Sequence, residues 1–358
     1  MNYREATLLA ETSITADKVE IIDLDFRDIC SRLDIIYRFA ASKHGMDSYG
    51  YADISKIEIV DGSDVLMSVT GAECQALNIY NRKCPTMSHG QHVGTLSEFN
   101  TFGVDFGLSL WDREFAFDPS KFTNPQLKIS VDFGTTDTGI TTSYLTVKAH
   151  MFDERRVTPR GYLMAKEHYS YTCGADGTYE YVELPQDYPI RQMLLRAYYS
   201  GIEPWYVIED IRLDLNNEAK VPFDINIEEY HRKNKGVDPV VEEDFIIHPT
   251  GSAVTYYVTP TSYYTPLGGS TMSTNGLYFN SIPKGGVMEV ISASAGQYRG
   301  TVRGYLPHHC IRFPFGLQDD PADWFNVARI DKARLRLEAG SQGNTGTGAI
   351  VLEQLRSY

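Results

Sequence analysis

Residues 127–133 read LKISVDF and residues 145–151 read LTVKAHM, so apolar and polar side chains alternate strictly in both segments. Gly134–Gly139, which lies between them, begins and ends with glycine. Alternation with a period of two indicates a β-strand with one buried face. Two such strands around a glycine-containing turn predict a β-hairpin.

The same pattern returns near the C-terminus, where residues 333–339 read ARLRLEA and a glycine-rich turn leads to a last predicted strand at Ile350–Leu355. Three further segments recur in the same order. The matched segments are Thr15–Leu24 with Gly174–Leu184, Ile29–Tyr37 with Ile190–Tyr198, and Ile54–Ile59 with Ile208–Leu213. A repeat of more than about 100 residues is too long for a solenoid unit, whose period is roughly 20–50 residues. We therefore predict two tandem copies of a whole domain.

Each copy contains short β-rich segments separated by turn residues, such as Asp61–Asp64 in the first copy and Asn216–Glu218 in the second. Many short strands of this kind are typical of an all-β sandwich or barrel. Short helices are predicted at Gly71–Asn81 and Ile227–Asn234, each after a strand.

The second copy is longer than the first. The first copy's Ile54 lies 208 − 54 = 154 residues before Ile208, whereas Pro119 lies 321 − 119 = 202 residues before Pro321. The difference places about 48 additional residues at 234–320, in a region rich in Gly, Ser, Thr and Tyr. Such a composition is typical of long surface loops that form adaptable contacts. Two or three extra strands without a binding role fit the same composition.

Length and charge limit the class of protein. The 358 residues exceed the roughly 250–300 at which a single core stops growing. A net charge of −14 argues against a surface that coats nucleic acid. The N-terminus lacks a secretory signal pattern, and there is no 18-residue apolar run. The five cysteines have irregular spacing, which predicts free, buried thiols in a reducing compartment.

Few residues suggest a chemical site. His308-His309-Cys310 is the densest set of potential metal ligands, but on a strand only His308 and Cys310 would share a face. Two ligands do not complete a tetrahedral site, so we expect histidines packed beside the turn at Phe313–Phe315.

Acidic clusters are the other candidates for binding a cation. Asp319, Asp320 and Asp323 lack the glycine and bidentate glutamate of a calcium loop, so we expect turn and cap residues. Glu242–Asp244 is predicted to be a solvated charge run. Motifs of nucleophilic or phosphate-binding enzymes are missing. We therefore predict no enzyme activity, no cofactor, and no catalytic, cofactor-binding or metal residues.

Several segments resemble a known family. They are ISKIEIVDGSDV at 54–65, GAECQALN at 71–78, LPHH at 306–309, PFG at 314–316, DPADW at 320–324 and LEQLR at 352–356. These segments resemble double jelly-roll major capsid proteins of tailless, membrane-containing icosahedral bacteriophages, within the adenovirus hexon-like lineage. The resemblance spans nearly the full length of the chain.

The resemblance implies two tandem eight-stranded jelly-roll β-sandwiches, with short helices and long surface loops. We expect the first jelly roll at residues 1–160 and the second at 161–358, with a long loop insertion at about 235–305. It further implies a viral major capsid protein that forms pseudo-hexameric homotrimers and then an icosahedral shell in the virion. Synthesis would take place in the host cytoplasm.

The implied partners are other copies of the chain, penton or minor capsid proteins, and an internal viral membrane, with no sequence-specific nucleic acid. Arg4 and the cluster Arg155–Arg160 are candidates for contact with that membrane. Two alternatives remain open. One is a minor capsid or spike protein. The other is a carbohydrate-binding or carbohydrate-cleaving β-sandwich that exposes aromatic residues such as Trp111, Trp205 or Trp324.

Overall fold

The computed structural model describes residues 2–43, 45–84, 88–92, 94, 96–153, 156–248, 254–264, 277–279, 285–292, 298–327 and 330–358. Within these residues most of the regular structure is β-strand. Two halves of the chain repeat one arrangement of strands, and a third group of strands is inserted into the second half.

The first half contains, in chain order, β1 (Tyr3–Ile14), β2 (Lys18–Asp23), β3 (Cys30–Ala40), β4 (Ile54–Asp61), β5 (Asp64–Val69), α1 (Gly71–Arg82), β6 (Ser88–His92), β7 (Ser97–Asp105), β8 (Pro125–Val131) and β9 (Ser143–Phe152). A 3₁₀ turn at Pro119–Lys121 precedes β8. Strands pair in the order β1-β9-β3-β7 in one sheet and β2-β8-β4-β5 in the other.

The second half continues with β10 (Gly161–Thr172), β11 (Tyr179–Glu183), β12 (Ile190–Tyr198), α2 (Pro204–Val207), β13 (Ile208–Leu215), β14 (Lys220–Asn226) and α3 (Ile227–Asn234). The insertion comprises β15 (Val241–Ile247), β16 (Val254–Tyr257), β17 (Pro260–Tyr264), β18 (Leu277–Phe279), β19 (Val287–Ser292) and β20 (Tyr298–Pro307). The half ends with β21 (Cys310–Pro314), β22 (Ala333–Ala339), a 3₁₀ turn at Gly343–Thr345 and β23 (Thr347–Ser357).

The two halves have the same strand order. The second pairs as β10-β23-β12-β21 and β11-β22-β13-β14, which matches the first strand for strand. Each half thus has eight matching strands in two four-stranded blocks around an apolar core, the arrangement of a jelly roll, and β6 is an additional strand of the first half that pairs with β7. We call them the first and second rolls. The predicted double jelly roll is confirmed.

The predicted hairpins are wrong. β8 pairs with β2 and β4, whereas β9 pairs with β1 and β3 in the other sheet. β22 and β23 likewise lie in different sheets. Alternation shows only that a strand has one buried face; it does not show which strand lies beside it. The glycine-containing segments therefore cross from one sheet to the other instead of closing a ladder.

Both predicted helices are present, and their sequences explain where they begin. The hydroxyl of Thr70 accepts a hydrogen bond from the backbone of Glu73, whose carboxylate accepts the amide of Thr70 at 2.8 Å. This capping box starts α1. Asn226 caps α3 in a similar way, accepting the backbone amides of Glu228 and Glu229. Both predicted turns are also present: Gly62 has a positive φ of 61° between the paired ends of β4 and β5, and Asn216–Glu218 all have positive φ.

The described part of the insertion contains six strands, where the composition predicted either a long surface loop or two or three extra strands. β15 pairs in parallel with β6 of the first roll, and β20 and β17 extend the same sheet. β16, β19 and β18 form a separate three-stranded sheet. A small apolar core formed by residues of both sheets includes Phe245, Tyr256, Met288 and Val302. Tyr, Thr and Val favour strands, which explains why a Tyr- and Thr-rich segment is ordered in this way.

All five cysteines lie in the described residues and none forms a disulfide, as predicted. Cys30, Cys74, Cys173 and Cys310 are buried and Cys84 is half-buried. Burial raises the pKa of each thiol, so these side chains remain protonated and behave as small apolar residues.

Candidate functional site

The junction between the rolls is the first place where the structure concentrates buried polar groups. β5 of the first roll and β10 of the second join in parallel through Ser68 and Lys166, so the two rolls share one continuous sheet. α1 packs across this join and contacts strands of both rolls. The second roll is thereby fixed to the first by backbone pairing as well as by side chains.

A buried ionic network crosses the same join. The carboxylate of Glu353 on β23 accepts hydrogen bonds from Arg191 at 2.5 Å, from Gln192 at 2.8 Å and from Asn81 of α1 at 2.8 Å. The Asn81 carbonyl oxygen in turn accepts from Arg191 at 2.8 Å. Glu353 and Arg191 are 4% and 7% exposed, so the charges are paired away from water. Removing one charged partner would leave the other charge buried and unpaired. The network therefore holds these side chains in one arrangement.

The outermost described strand of the shared sheet, β21, is covered along its free edge. The hydroxyl of Tyr80 on α1 donates to the carbonyl of Cys310 at 2.8 Å, and the hydroxyl of Tyr230 on α3 donates to the carbonyl of Arg312 at 3.0 Å. An open strand edge invites pairing with another chain. Here one tyrosine from each roll satisfies carbonyls that would otherwise be available for that pairing.

His308 and His309 do not lie beside the turn at Phe313–Phe315, so that prediction is wrong. Both residues have positive φ and form the tight connection between β20 and β21, which a strand-based argument does not foresee. Their rings pack edge-on against tyrosines of the junction, His308 on Tyr51 and His309 on Tyr198. Burial lowers the pKa of His309 to about 3 and that of His308 well below its usual range, so both imidazoles are neutral.

Asp319, Asp320 and Asp323 share one turn, and the amide of Asp323 donates to the carbonyl of Asp320 at 3.0 Å. Asp320 accepts the amide of Ala322 at 3.0 Å and Asp323 accepts the amide of Leu317 at 2.7 Å, which are the predicted turn and cap roles. Asp319 is exposed in the same turn. Within the described ranges, no group of three His, Cys, Asp or Glu side chains could hold a metal ion.

The predicted solvated charge run is wrong at its central residue. Glu243 on β15 is 4% exposed and accepts the backbone amide of Thr259 at 2.7 Å. Burial raises the pKa of Glu243 to about 7. Glu242 and Asp244 are exposed, as alternation along the strand requires.

The three tryptophans do not form an exposed aromatic face. Trp324 is 3% exposed and donates its indole N–H to the carbonyl of Leu317 at 2.9 Å. Trp111 is half-buried against Tyr3, and Trp205 is half-buried and stacks on His231. Trp324 therefore contributes to a core, and the lack of an exposed tryptophan among the three counts against the carbohydrate-binding alternative.

Two of the candidate membrane-contact arginines, Arg4 and Arg160, form ion pairs with acidic side chains. Arg4 forms an ion pair with Asp28, and Arg160 pairs with Glu114 at 2.9 Å. Arg156 is exposed, and Arg155 lies outside the described residues. In the described part of the chain, no helix has the length and apolarity needed to cross a membrane.

Each roll exposes a pair of apolar side chains at the same position of its edge strand. On β2, Val19 and Ile21 are 51% and 53% exposed; on β11, Tyr179 and Tyr181 are 48% and 52% exposed. The spacing is identical, since 179 − 19 = 160 and 181 − 21 = 160. β2 and β11 each end a sheet. Apolar pairs repeated on both rolls are candidate contact surfaces.

Sequence reasoning missed the junction residues. Asn81, Arg191 and Glu353 are far apart in the chain and belong to no catalytic or binding motif, although Glu353 lies in the segment LEQLR at 352–356. The available signal was Glu353-Gln354 within the otherwise apolar segment Ile350–Leu355, because a charge in a buried strand requires a partner.

No protein-family model matches the sequence, and no curated protein matches it significantly. Several solved structures match the fold of this chain. The crystal structure of the major capsid protein (MCP) of STIV, the Sulfolobus Turreted Icosahedral Virus, is 11% identical with a TM-score of 0.63, and the match covers 99% of this chain and 96% of that chain. The major capsid protein of bacteriophage PM2 is 10% identical with a TM-score of 0.57, over 99% and 98%. A chain of the PBCV-1 virus capsid is 9% identical with a TM-score of 0.55, over 99% and 94%. Over its whole length, this chain therefore has the double jelly-roll fold.

Proposed function

We propose that this chain is a viral major capsid protein that self-associates into homotrimers with a pseudo-sixfold outline. These trimers would build the icosahedral shell of a virion. The observation that carries the proposal is the match of both rolls, over nearly the full length, to two solved major capsid proteins. The chain would act as a structural protein and not as an enzyme.

Two features of the chain itself support this role. The shared sheet and the Arg191–Glu353 network give a rigid building block. The matching apolar pairs on β2 and β11 offer the two rolls equivalent contact surfaces, which a pseudo-sixfold arrangement of three chains needs. Interfaces of permanent oligomers bury about 2,000 Å² or more and are relatively apolar.

We also propose residues 1–160 and 161–358 as the two structural units, because β9 ends at Phe152 and β10 begins at Gly161. Further proposed partners are penton or minor capsid proteins and an internal viral membrane.

Native mass spectrometry of the purified chain, with negative-stain images of the same sample, tests the proposal. We expect a species of three times 40.3 kDa with a hexagonal outline. A monomer that fails to form particles when it is co-expressed with the other proteins of its virus would contradict it. Stoichiometry in purified particles separates a major from a minor capsid protein.

A further inference from the structure

Two of the sheet edges, those of β1 and β14, stand out. Among the described residues, β1 is the end strand of the sheet that contains β9 and β3, and β14 is the end strand of the sheet that contains β13 and β22. An open strand edge offers its backbone amides and carbonyls to another chain. Other strands also end sheets, but β1 and β14 differ from them in how their counterparts in the other roll are arranged.

Those counterparts are paired with each other. By strand order, β10 of the second roll corresponds to β1, and β5 of the first roll corresponds to β14. β5 and β10 lie side by side in parallel, with Ser68 opposite Lys166. Within one chain this pairing joins the first roll to the second. The edges of β14 and β1 are therefore the two that can repeat the same join, between the second roll of one copy and the first roll of the next.

A shared bulge shows which residues of β1 and β10 correspond. The register with the neighbouring strand shifts after Thr7 in β1 and after Glu167 in β10. Because such an extra residue interrupts the ladder at a defined position, we align the two strands on it. The offset is 167 − 7 = 160, so Ala6, which is half-buried, takes the place of Lys166.

The registers of β5 and β14 give the other partner. Ser68 lies opposite Glu58 of β4, and Asp224 lies opposite Arg212 of β13. Glu58 and Arg212 correspond, since 212 − 58 = 154 is also the offset between the first residues of β4 and β13. Asp224, which is exposed, therefore takes the place of Ser68. A join between copies would place Asp224 of one copy opposite Ala6 of the next.

A repeated tripeptide lies at the same contact. FGL occurs at 106–108, after β7, and again at 315–317, after β21. Leu108 is half-buried and packs against an apolar cluster that includes Leu163 of the second roll. The amide of Leu163 also donates to the carbonyl of Phe106 at 2.8 Å. Leu317, by contrast, is 62% exposed. Leu317 thus faces solvent at the position where its counterpart contacts the other roll.

The corresponding partner for Leu317 lies at the start of β1. By the offset of β1 and β10, Leu163 corresponds to Tyr3, because 163 − 160 = 3. Tyr3 is half-buried, and its ring centroid lies 4.5 Å from that of Trp111 and 5.7 Å from that of Phe152. These three rings form an apolar surface of the first roll. An exposed leucine on the second roll therefore has an aromatic surface as its expected contact on the next copy.

We propose that β14 of one copy pairs in parallel with β1 of the next copy, with Asp224 opposite Ala6 and Leu317 packed against Tyr3. This inference rests on the proposed homotrimer and names contacts within it. Each chain has one edge of each kind, so the contact is head to tail, and three copies close a ring in which every such edge is paired. β2 and β11 lie at the opposite ends of their sheets, so these contacts are separate from the apolar pairs.

Disulfide trapping in the full chain tests the strand pairing. The double variant Ala6→Cys with Asp224→Cys is oxidised mildly as a trimer and analysed on denaturing gels with and without reductant. Adjacent strands lie about 4.8 Å apart, which is within the Cα separation that a disulfide spans. We expect covalent dimers and trimers that reductant dissolves. Each single cysteine variant should remain uncross-linked, because its partner site is then absent.

The join within the chain provides the matched positive control. In the double variant Ser68→Cys with Lys166→Cys, the two cysteines face each other in one chain, so oxidation should close a disulfide without producing covalent dimers. If this control closes and the unmodified chain is trimeric, but the Ala6 and Asp224 variant gives no disulfide between copies, the strand pairing is overturned and the trimer stands. An unmodified chain that stays monomeric overturns both the trimer and this inference.

A second variant tests the apolar contact without new cysteines. Leu317→Lys should leave thermal unfolding of the isolated chain nearly unchanged, because Leu317 is exposed. It should raise the protein concentration at which half of the chains are trimeric by about tenfold or more, since the burial of a leucine is lost. An unchanged concentration for half-trimerisation would overturn the packing of Leu317 against the next copy.

Discussion

Tyr80 and Tyr230 stand on different rolls yet donate their hydroxyls to the same strand, at the carbonyls of Cys310 and Arg312. Carbonyls two residues apart point to the same side of a strand, so the two tyrosines close one continuous edge. Helices α1 and α3 follow equivalent strands in the two rolls, and each supplies one of these tyrosines.

Removing either hydroxyl should destabilise the chain slightly. We expect Tyr80→Phe and Tyr230→Phe each to lower the free energy of unfolding by about 1 kcal/mol, the contribution of one hydrogen bond. Urea denaturation followed by circular dichroism measures this. Tyr206→Phe is the control, because Tyr206 is 46% exposed and its change should have no measurable effect. Equal effects of all three substitutions would argue against a special role for the edge.

Breaking the junction network should lower the free energy of unfolding much more than removing one tyrosine hydroxyl does. We expect Glu353→Leu or Arg191→Met alone to lower the free energy of unfolding by about 3–5 kcal/mol, because each leaves an unpaired buried polar group. The double substitution should recover most of that loss, since neither charge then remains. Glu114→Leu, which breaks the exposed pair with Arg160, should change the free energy of unfolding by less than about 1 kcal/mol. Additive losses in the double variant would show that the two residues act independently.

Glu243 should make the chain less stable as pH rises. In the folded chain its pKa is raised to about 7, whereas in the unfolded chain it ionises near 4.5. Its contribution to stability is therefore lost as pH rises from about 4.5 to about 7 and remains lost above that. Glu243→Gln should increase the free energy of unfolding at pH 8 by at most about 3 kcal/mol and should not do so at pH 4.

Glu242→Gln is the matched control for this pH dependence, because Glu242 is the exposed neighbour on the same strand. Denaturant melts from pH 4 to pH 8 compare the two variants. A pH profile that Glu243→Gln leaves unchanged would contradict a neutral, buried carboxyl. Glu73, whose pKa burial also raises to about 7, should account for a remaining slope.

The exposed apolar pairs should matter for assembly and not for folding. This prediction depends on the proposed trimer. We expect Ile21→Lys and Tyr181→Lys to leave thermal unfolding of the isolated chain nearly unchanged, because both side chains are about half exposed, but to reduce the trimer fraction in native mass spectra. Glu242→Lys is the control, since Glu242 is exposed outside these two strands. Full trimer yield in all three variants would place the contacts elsewhere.

The alternation of buried and exposed side chains along the strands could be predicted from the sequence, because it depends only on residues that are neighbours in the chain. Leu127, Ile129 and Val131 are buried on β8, as their alternation predicts. The helix at Gly71 and the turn at Gly62 follow from capping and turn residues within a few positions. The duplication was also detectable, because two copies under the same packing constraints keep similar patterns at similar spacing.

Strand partners could not be predicted in this way. The alternation in β8 and β9 would be the same whether these strands paired with each other or lay in opposite sheets. Only the packing of the complete core distinguishes the two arrangements. The insertion shows the same limit, since its β15 pairs with β6 of the first roll, about 150 residues earlier in the chain.

By itself the sequence determined that the chain is all-β, that it is duplicated, and where its short helices begin, because periodicity, capping and turn chemistry act over a few residues. Tertiary structure alone decided that Arg191, Glu353 and Asn81 meet, and that Arg196 of the second roll lies beside the start of α1 of the first roll. Burial makes such contacts strong, and burial depends on every element that packs around them.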